Sequence, residues 1–422
     1  MAKSRWTILT YIAAHNNLAM LGKVSLNQIL GVGSTPDVVH GMLYDGPGEG
    51  GRFIVGNPGT VSEQDGFDEF DGGDPDQLIA TARWLFEKHP ADRYGLVLWS
   101  HGTGWRPEEI AQVAAEARPD AAAKAESHDR AGTPGSYALF RSTLRALQRP
   151  PARSERAILF DDGTGHSLDT LELQRVMDTL AETVGQPLEL LGMDACLMAS
   201  LEVAYQIKGS VRALVASSEL VPGHSWPYSA IYGAVRNEPE MSGTALARLA
   251  VEQYVQFYTA NPPAAGDVTK VALDLGKVES IAAAARTLAD TLMQDMAMHT
   301  AVIWNAQRDT QTREAKGGKR KPSKFDFHLW DLGSLAAGIA ANPTASDAVR
   351  KAASSVSAAL EPGGAVLAEG HRGDWFDGIG GLNVYLVPPG IQRVSPAYGQ
   401  LAFAREMHWL DMLTKYHELQ PF

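Results

Sequence analysis

The amino-acid sequence predicts an α/β fold built on a mostly parallel central sheet, and two observations carry that prediction. Over roughly the first 235 residues, short apolar runs alternate with stretches of helical period, the pattern left by successive strand–helix–strand units. After about residue 236 the pattern changes to long helices. We therefore expect a sheet-forming core over 1–235 and a mainly helical C-terminal subdomain over 236–422 that contributes a late strand at 378–388. The length of 422 residues supports this division, because single cores stop growing at roughly 250–300 residues.

The first strand is WTILTYIAA (6–14), which alternates and closes on the polar His15-Asn16-Asn17. DVVHGMLY (37–44) is the second. A helix follows over 74–89, where Asp74 can cap and apolar residues recur at helical spacing. YGLVLWSHG (94–102) is the next strand. Residues 103–155 are Ala-rich, charged and irregular, and read as an insertion. RAILFDDG (156–163) reads as a strand, 167–184 as a helix capped by Ser167, and LELLGMDAC (188–196) as a strand running directly into the helix LMASLEVAYQI. RALVASSE (212–219) is a further strand. Beyond it lie helices over 244–261 and 277–307, a basic linker over 308–324, the Gly-introduced strand GIGGLNVYLVP (378–388) and a closing helix in REMHWLDMLTKYHE.

Composition narrows the function. A net charge of −12 argues against a general nucleic-acid surface, which needs clustered Lys and Arg. The one cysteine can form no intramolecular disulfide, so a reducing cytoplasm is expected, and cysteine-based zinc sites are excluded. No apolar run approaches the roughly 18 residues that would span a bilayer, so no membrane role is expected.

In a parallel α/β sheet, functional residues collect at the carboxyl ends of the strands. Two such ends carry chemistry: Ser100-His101-Gly102 and Asp194-Ala195-Cys196. If their strands are neighbours, His101 can serve Cys196 as a base. The start of a helix just after Cys196 would favour a thiolate or an oxyanion. The amides of Gly102 and Cys196 could bind that oxyanion. A buried structural cysteine and a hydrogen-bonded structural histidine are the competing reading.

The succession YGLVLWSHGTGW, ILFDDGTGHSLDTLEL, LELLGMDACLMASLEVAYQI and VASSELVPGHSWPY resembles the clostripain family of cysteine peptidases. YIAAHNNL and GIGGLNVYLVP are similar to family landmarks, so the resemblance spans nearly the whole chain. It implies a caspase-like α/β/α sandwich and peptide-bond hydrolysis. It also implies His101 as catalytic base, Cys196 as nucleophile, and Asp194 as an acid of the pocket for the residue before the scissile bond, typically Arg or Lys. Two departures weaken a strict basic preference: His15 stands where relatives carry Asp, and His224 stands where they can supply a second acid. Glu219 is the candidate to compensate.

Relatives are commonly matured by cleavage between the two motifs. The insertion offers Arg141-Ser142 and Arg153-Ser154 to the protein itself or to an activating protease. No cofactor is expected to be required. Calcium stays open: no EF-hand loop appears, and only the acidic stretch FDEFDGGDPD (67–76) suits it. The expected partners are protein or peptide substrates. The alternatives are a non-catalytic caspase-like module that binds a partner and a thiol acyltransferase using the same pair.

Overall fold

The computed structural model describes residues 3–66, 70–105, 158–162, 164–262, 267–315, 325, 328–373, 378–388 and 393–419. Its strands are β1 (Ser4–Ala13), β2 (Val38–Gly46), β3 (Glu49–Val55), β4 (Val61–Gly66), β5 (Ala91–Trp99), β6 (Leu188–Asp194), β7 (Val211–Ala216), β8 (Val268–Asp274), β9 (Leu329–Asp331), β10 (Val366–Arg372) and β11 (Asn383–Tyr385). Nine of them form one sheet in the order β10-β8-β7-β6-β5-β1-β2-β3-β4. The five central strands, β7 to β2, are parallel. An antiparallel pair extends the sheet at each end.

The helices are α1 (Ala19–Val32), α2 (Pro75–Lys88), α3 (Thr170–Val184), α4 (Leu201–Gln206), α5 (Tyr228–Asn237), α6 (Gly243–Ala260), α7 (Val278–Gln294), α8 (Met296–Ala315), α9 (Leu332–Ala341), α10 (Asp347–Ala359), α11 (Ala402–Glu406) and α12 (Trp409–Glu418). They cover both faces of the sheet. Leu9, Leu96 and Leu191 pack with Leu85 of α2, Leu173 of α3 and Ile281 of α7. Ile8, Val97 and Leu190 pack on the other side with Ile29 of α1, Ile231 of α5 and Leu246 of α6. This is the expected α/β/α sandwich. Strands covered on two faces must be apolar almost throughout, and β2 is buried at every position. The edge strand β4, VSEQDG, is exposed at every position, and its charges guard the open edge.

Several local expectations are corrected. Residues 156–163 form no strand among their described positions: Ile158 makes only single bridges to Gly102 and Leu168, and Leu159 at φ 61° breaks the extended path. The helix at 167–184 begins at Thr170 and is capped by Asp169, not Ser167, because Asp169 and Glu172 cap one another's amides in a capping box. The long helix over 277–307 is interrupted at Asp295, which separates α7 from α8. The late strand is the short β11, which pairs with β9 and does not enter the main sheet. The antiparallel strands β3, β4, β8 and β10 were not anticipated. Of these, β8 and β10 bring the C-terminal half into the main sheet.

Candidate active site

β5 and β6 are parallel neighbours, with Trp99 opposite Asp194. His101 and Cys196, each two residues further on, therefore leave the same end of the sheet. The contact between the two exits is close. A Cβ on Gly102 would lie 2.6 Å from the Cys196 carbonyl oxygen and 2.9 Å from the Ala195 Cβ, so only glycine fits there.

The His101 ring is fully buried, with its Nε2 3.0 Å from Asn17 Oδ1 and its edge on Phe160. Asn17 follows β1, the strand on the other side of β5. Asn16 anchors the same turn by donating to the carbonyls of Ala13 and Phe160. Sequence reasoning found Asn17 only as part of a polar triplet. Its partnership with His101 follows from the order of β1 and β5 in the sheet.

Cys196 is likewise fully buried, and its Sγ accepts a hydrogen bond from the Val221 amide at 3.3 Å. The expected helix start at the cysteine is absent. Leu197, at φ 64°, turns the chain, and α4 begins only at Leu201, capped by Ser200. The helix field therefore does not act on the thiol. The intervening residues are held from two sides: Leu197 N–H donates to the Glu219 carbonyl, and Ala199 O accepts from the Asn383 amide of β11. Burial pushes the thiol up to about 12, with Glu219 and Asp194 adding to the rise. Burial also lowers the imidazole to about 3. The pair thus rests as neutral thiol and neutral imidazole.

Asp194 ends β6 with its carboxylate 3% exposed. One oxygen, Oδ2, accepts from Tyr228 OH at 2.8 Å, Trp226 N–H at 3.1 Å and Ser225 Oγ. The other, Oδ1, is buried without a donor among the described residues. Burial raises its pKa, and the charge of Lys270 is the first influence that lowers it again. Glu219 is buried beside the thiol, while His224 is exposed and faces the Phe257 ring. Arg141 and Arg153 lie outside the described residues, as does most of the 103–155 insertion. So do residues 67–69 of the acidic loop. Of its remainder, Asp74 caps α2 and Asp71 pairs with His166.

Among the described residues one set could hold a metal ion: His15, Asp45 and Asp161, with donor atoms within 4.8 Å of one another. The imidazole nitrogen departs from the oxygen ligands that calcium takes.

A thiol and an imidazole at adjoining ends of parallel strands, in an α/β/α sandwich, are the groups that thiol-dependent acyl transfer calls for. The family is fixed by sequence comparison. The clostripain family model matches residues 10–118 and 146–336. The chain belongs to the clostripain family of cysteine peptidases. Clostripain of Hathewaya histolytica is 27% identical over 184 residues, a stretch covering 40% of this chain and 27% of that protein. Two solved structures share the fold over nearly all of both chains. A secreted C11 cysteine protease of Bacteroides thetaiotaomicron, solved with an irreversible peptide inhibitor, has a TM-score of 0.65 at 18% identity, covering 97% of this chain and 100% of that one. An inactive zymogen C11 protease of Parabacteroides distasonis has a TM-score of 0.60 at 16% identity, covering 96% and 99%.

Proposed function

We propose that this protein is a cysteine endopeptidase in which Cys196 is the nucleophile and His101 carries the protons. The observation that supports it most is the pairing of β5 with β6, which brings both residues out at one end of the sheet. A peptide carbonyl carbon beside the sulfur takes its electron pair as the thiol proton passes to the imidazole. The Gly102 and Cys196 amides hold the resulting oxyanion. The imidazolium then gives its proton to the leaving amine, and a thioester forms. Water, deprotonated by the same imidazole, cleaves the thioester and restores the thiol. Asn17 orients the ring throughout. No step draws on a cofactor.

The residue before the scissile bond, P1, is read as Arg or Lys. Asp194 Oδ1, a buried acceptor with no donor among the described residues, supports that choice, since a guanidinium pairs with a carboxylate by charge-assisted hydrogen bonds. The complete burial of His101 and Cys196 supports a latent state. Cleavage after Arg141 or Arg153, by the protein itself or by an activating protease, would open it. The single cysteine supports a cytoplasmic place of action. Among the described residues no helix is long and apolar enough to cross a membrane.

The test uses the protein cleaved in its insertion and a peptide that ends in arginine and carries a thiol-reactive group. Label should map to Cys196 and be absent from Cys196→Ala. Hydrolysis of the matching peptide should fall by about 100-fold or more in His101→Ala. Full hydrolysis by Cys196→Ala would refute the proposal.

A further inference from the structure

Among the described residues, Lys270 is the one Lys or Arg that is buried, at 1% exposure. It is the third residue of β8, paired with Gly370 of β10 on one side of the sheet position. Its ammonium stands 4.0 Å from the centre of the Tyr254 ring and 5.0 Å from that of Trp226. Among the described residues no oxygen accepts any of its protons. Aromatic faces attract a cation, but they replace only part of the hydration it has lost. A lysine left this way on an inner strand needs another reason to be there.

The surroundings supply one. Trp226, whose ring lies beneath the ammonium, donates its backbone N–H to Asp194 Oδ2. Gly192 of β6 leaves room for that ring, which would come within 2.8 Å of a Cβ there. Lys270 and Asp194 thus meet the same residue, Trp226, the one on its ring and the other on its backbone N–H, without direct ion-pair contact. Each charge counters the effect of burial on the other.

We propose that Lys270 is a specificity-determining residue of the P1 pocket: its positive charge offsets Asp194 and restrains the preference for Arg and Lys. This rests on the reading of Asp194 as the acid of that pocket. A basic P1 side chain that reached Asp194 would bring a second cation beside one anchored to the sheet, and like charges in a desolvated site repel strongly. A neutral P1 side chain meets no such opposition. Burial lowers the lysine to about 7, while Asp194 and Cys196 work to raise it. As pH rises through that value the ammonium is lost, Asp194 is left uncompensated, and the preference for Arg should grow. The titratable groups facing Lys270 are Asp194 at the end of β6, Cys196 just after it and Tyr254 of α6. Titration of the Cys196–His101 pair affects every substrate alike and cancels from a ratio of substrates.

The experiment measures kcat/KM for two peptides that differ only in carrying Arg or Gln at P1. Enzymes compared are the wild type, Lys270→Met, Lys270→Arg and Asp194→Asn. Lys270→Met should raise the Arg-to-Gln ratio by about tenfold or more, mainly through KM, and Lys270→Arg should keep the wild-type ratio. In the wild type the ratio should climb between about pH 6 and about pH 8, and in Lys270→Met that climb should be lost. An active Lys270→Met with the wild-type ratio overturns the proposal. If that variant does not fold, a wild-type ratio that is flat with pH overturns it instead. An unchanged ratio in Asp194→Asn overturns the reading of Asp194, and the proposal with it. A lowered ratio in Asp194→Asn together with an unchanged ratio in Lys270→Met overturns the role of Lys270 alone.

Discussion

Asp45, next to last in β2, lies beside a second buried carboxylate, that of Asp161, and its Oδ2 has no donor among the described residues. Burial is the main cause that raises Asp45 to about 7, and the charge of Asp161 adds to it. In the unfolded chain the group releases its proton at the ordinary carboxylate value, near 4. Between those values the folded state holds the proton more tightly, so stability falls as pH rises through the window, and the loss is complete above about 7. Asp45→Asn removes that loss and can donate to Asp161. Its melting temperature should match or trail the wild type below about pH 4 and exceed it increasingly up to about pH 7. A difference that does not vary with pH would contradict this account. The same physics, burial acting on ionisable groups, keeps Cys196 and His101 neutral at rest.

At the scale of elements, the site depends on where strands stop. Nothing in LELLGMDACLMAS marks the turn at Leu197, because its residues suit a helix as well as a turn. The left-handed backbone is imposed by the neighbours: Leu197 N–H is drawn to Glu219, and Ser200 is bridged to Asn383. The helix start that sequence placed at Cys196 therefore lies at Ser200. The start of α3 is tied to the histidine side of the site, since Thr170 Oγ1 donates to the carbonyl of Trp105, four residues past His101. Asp169 caps this helix, with Glu172 N–H donating to it at 2.7 Å. Asp169→Ala should cost about 1 kcal/mol of stability, read from chemical denaturation. Ser167→Ala, at the position first expected to cap, should cost less. The reverse order would show that the capping box is not what holds the helix start.

Across the whole molecule, the C-terminal half does more than cover the sheet. β8 brings Lys270 to Trp226, which holds Asp194, and β11 docks on the residues after Cys196 through Asn383, whose N–H donates to Ala199 O at 2.9 Å and whose Nδ2 donates to Ser218 O at 2.7 Å. Buried Glu202 of α4 fastens the same region by accepting from the Tyr385 amide and the Tyr398 hydroxyl. On the proposed reading, a thiol enclosed from both halves of the chain has to be uncovered before a peptide can reach it. Incubating the wild type and Cys196→Ala side by side should yield fragments ending at Arg141 or Arg153 from the wild type, detected by mass spectrometry, together with a rise in activity. An uncut wild type with full activity would exclude latency. Identical cutting of both would assign the step to another protease.

The sequence by itself determined the central strands, several of the helices and the two motif-bearing strand ends, because apolar period and turn chemistry are local properties. His101, Gly102, Cys196 and Asp194 were legible for that reason, and the family resemblance rested on the same residues. Only the tertiary structure decided that β5 and β6 are neighbours, that Asn17 meets His101, and that Lys270 and Asp194 meet at Trp226. Strand order, pairing partners and the burial of a charge arise from contacts between residues tens to hundreds of positions apart. No local pattern records them.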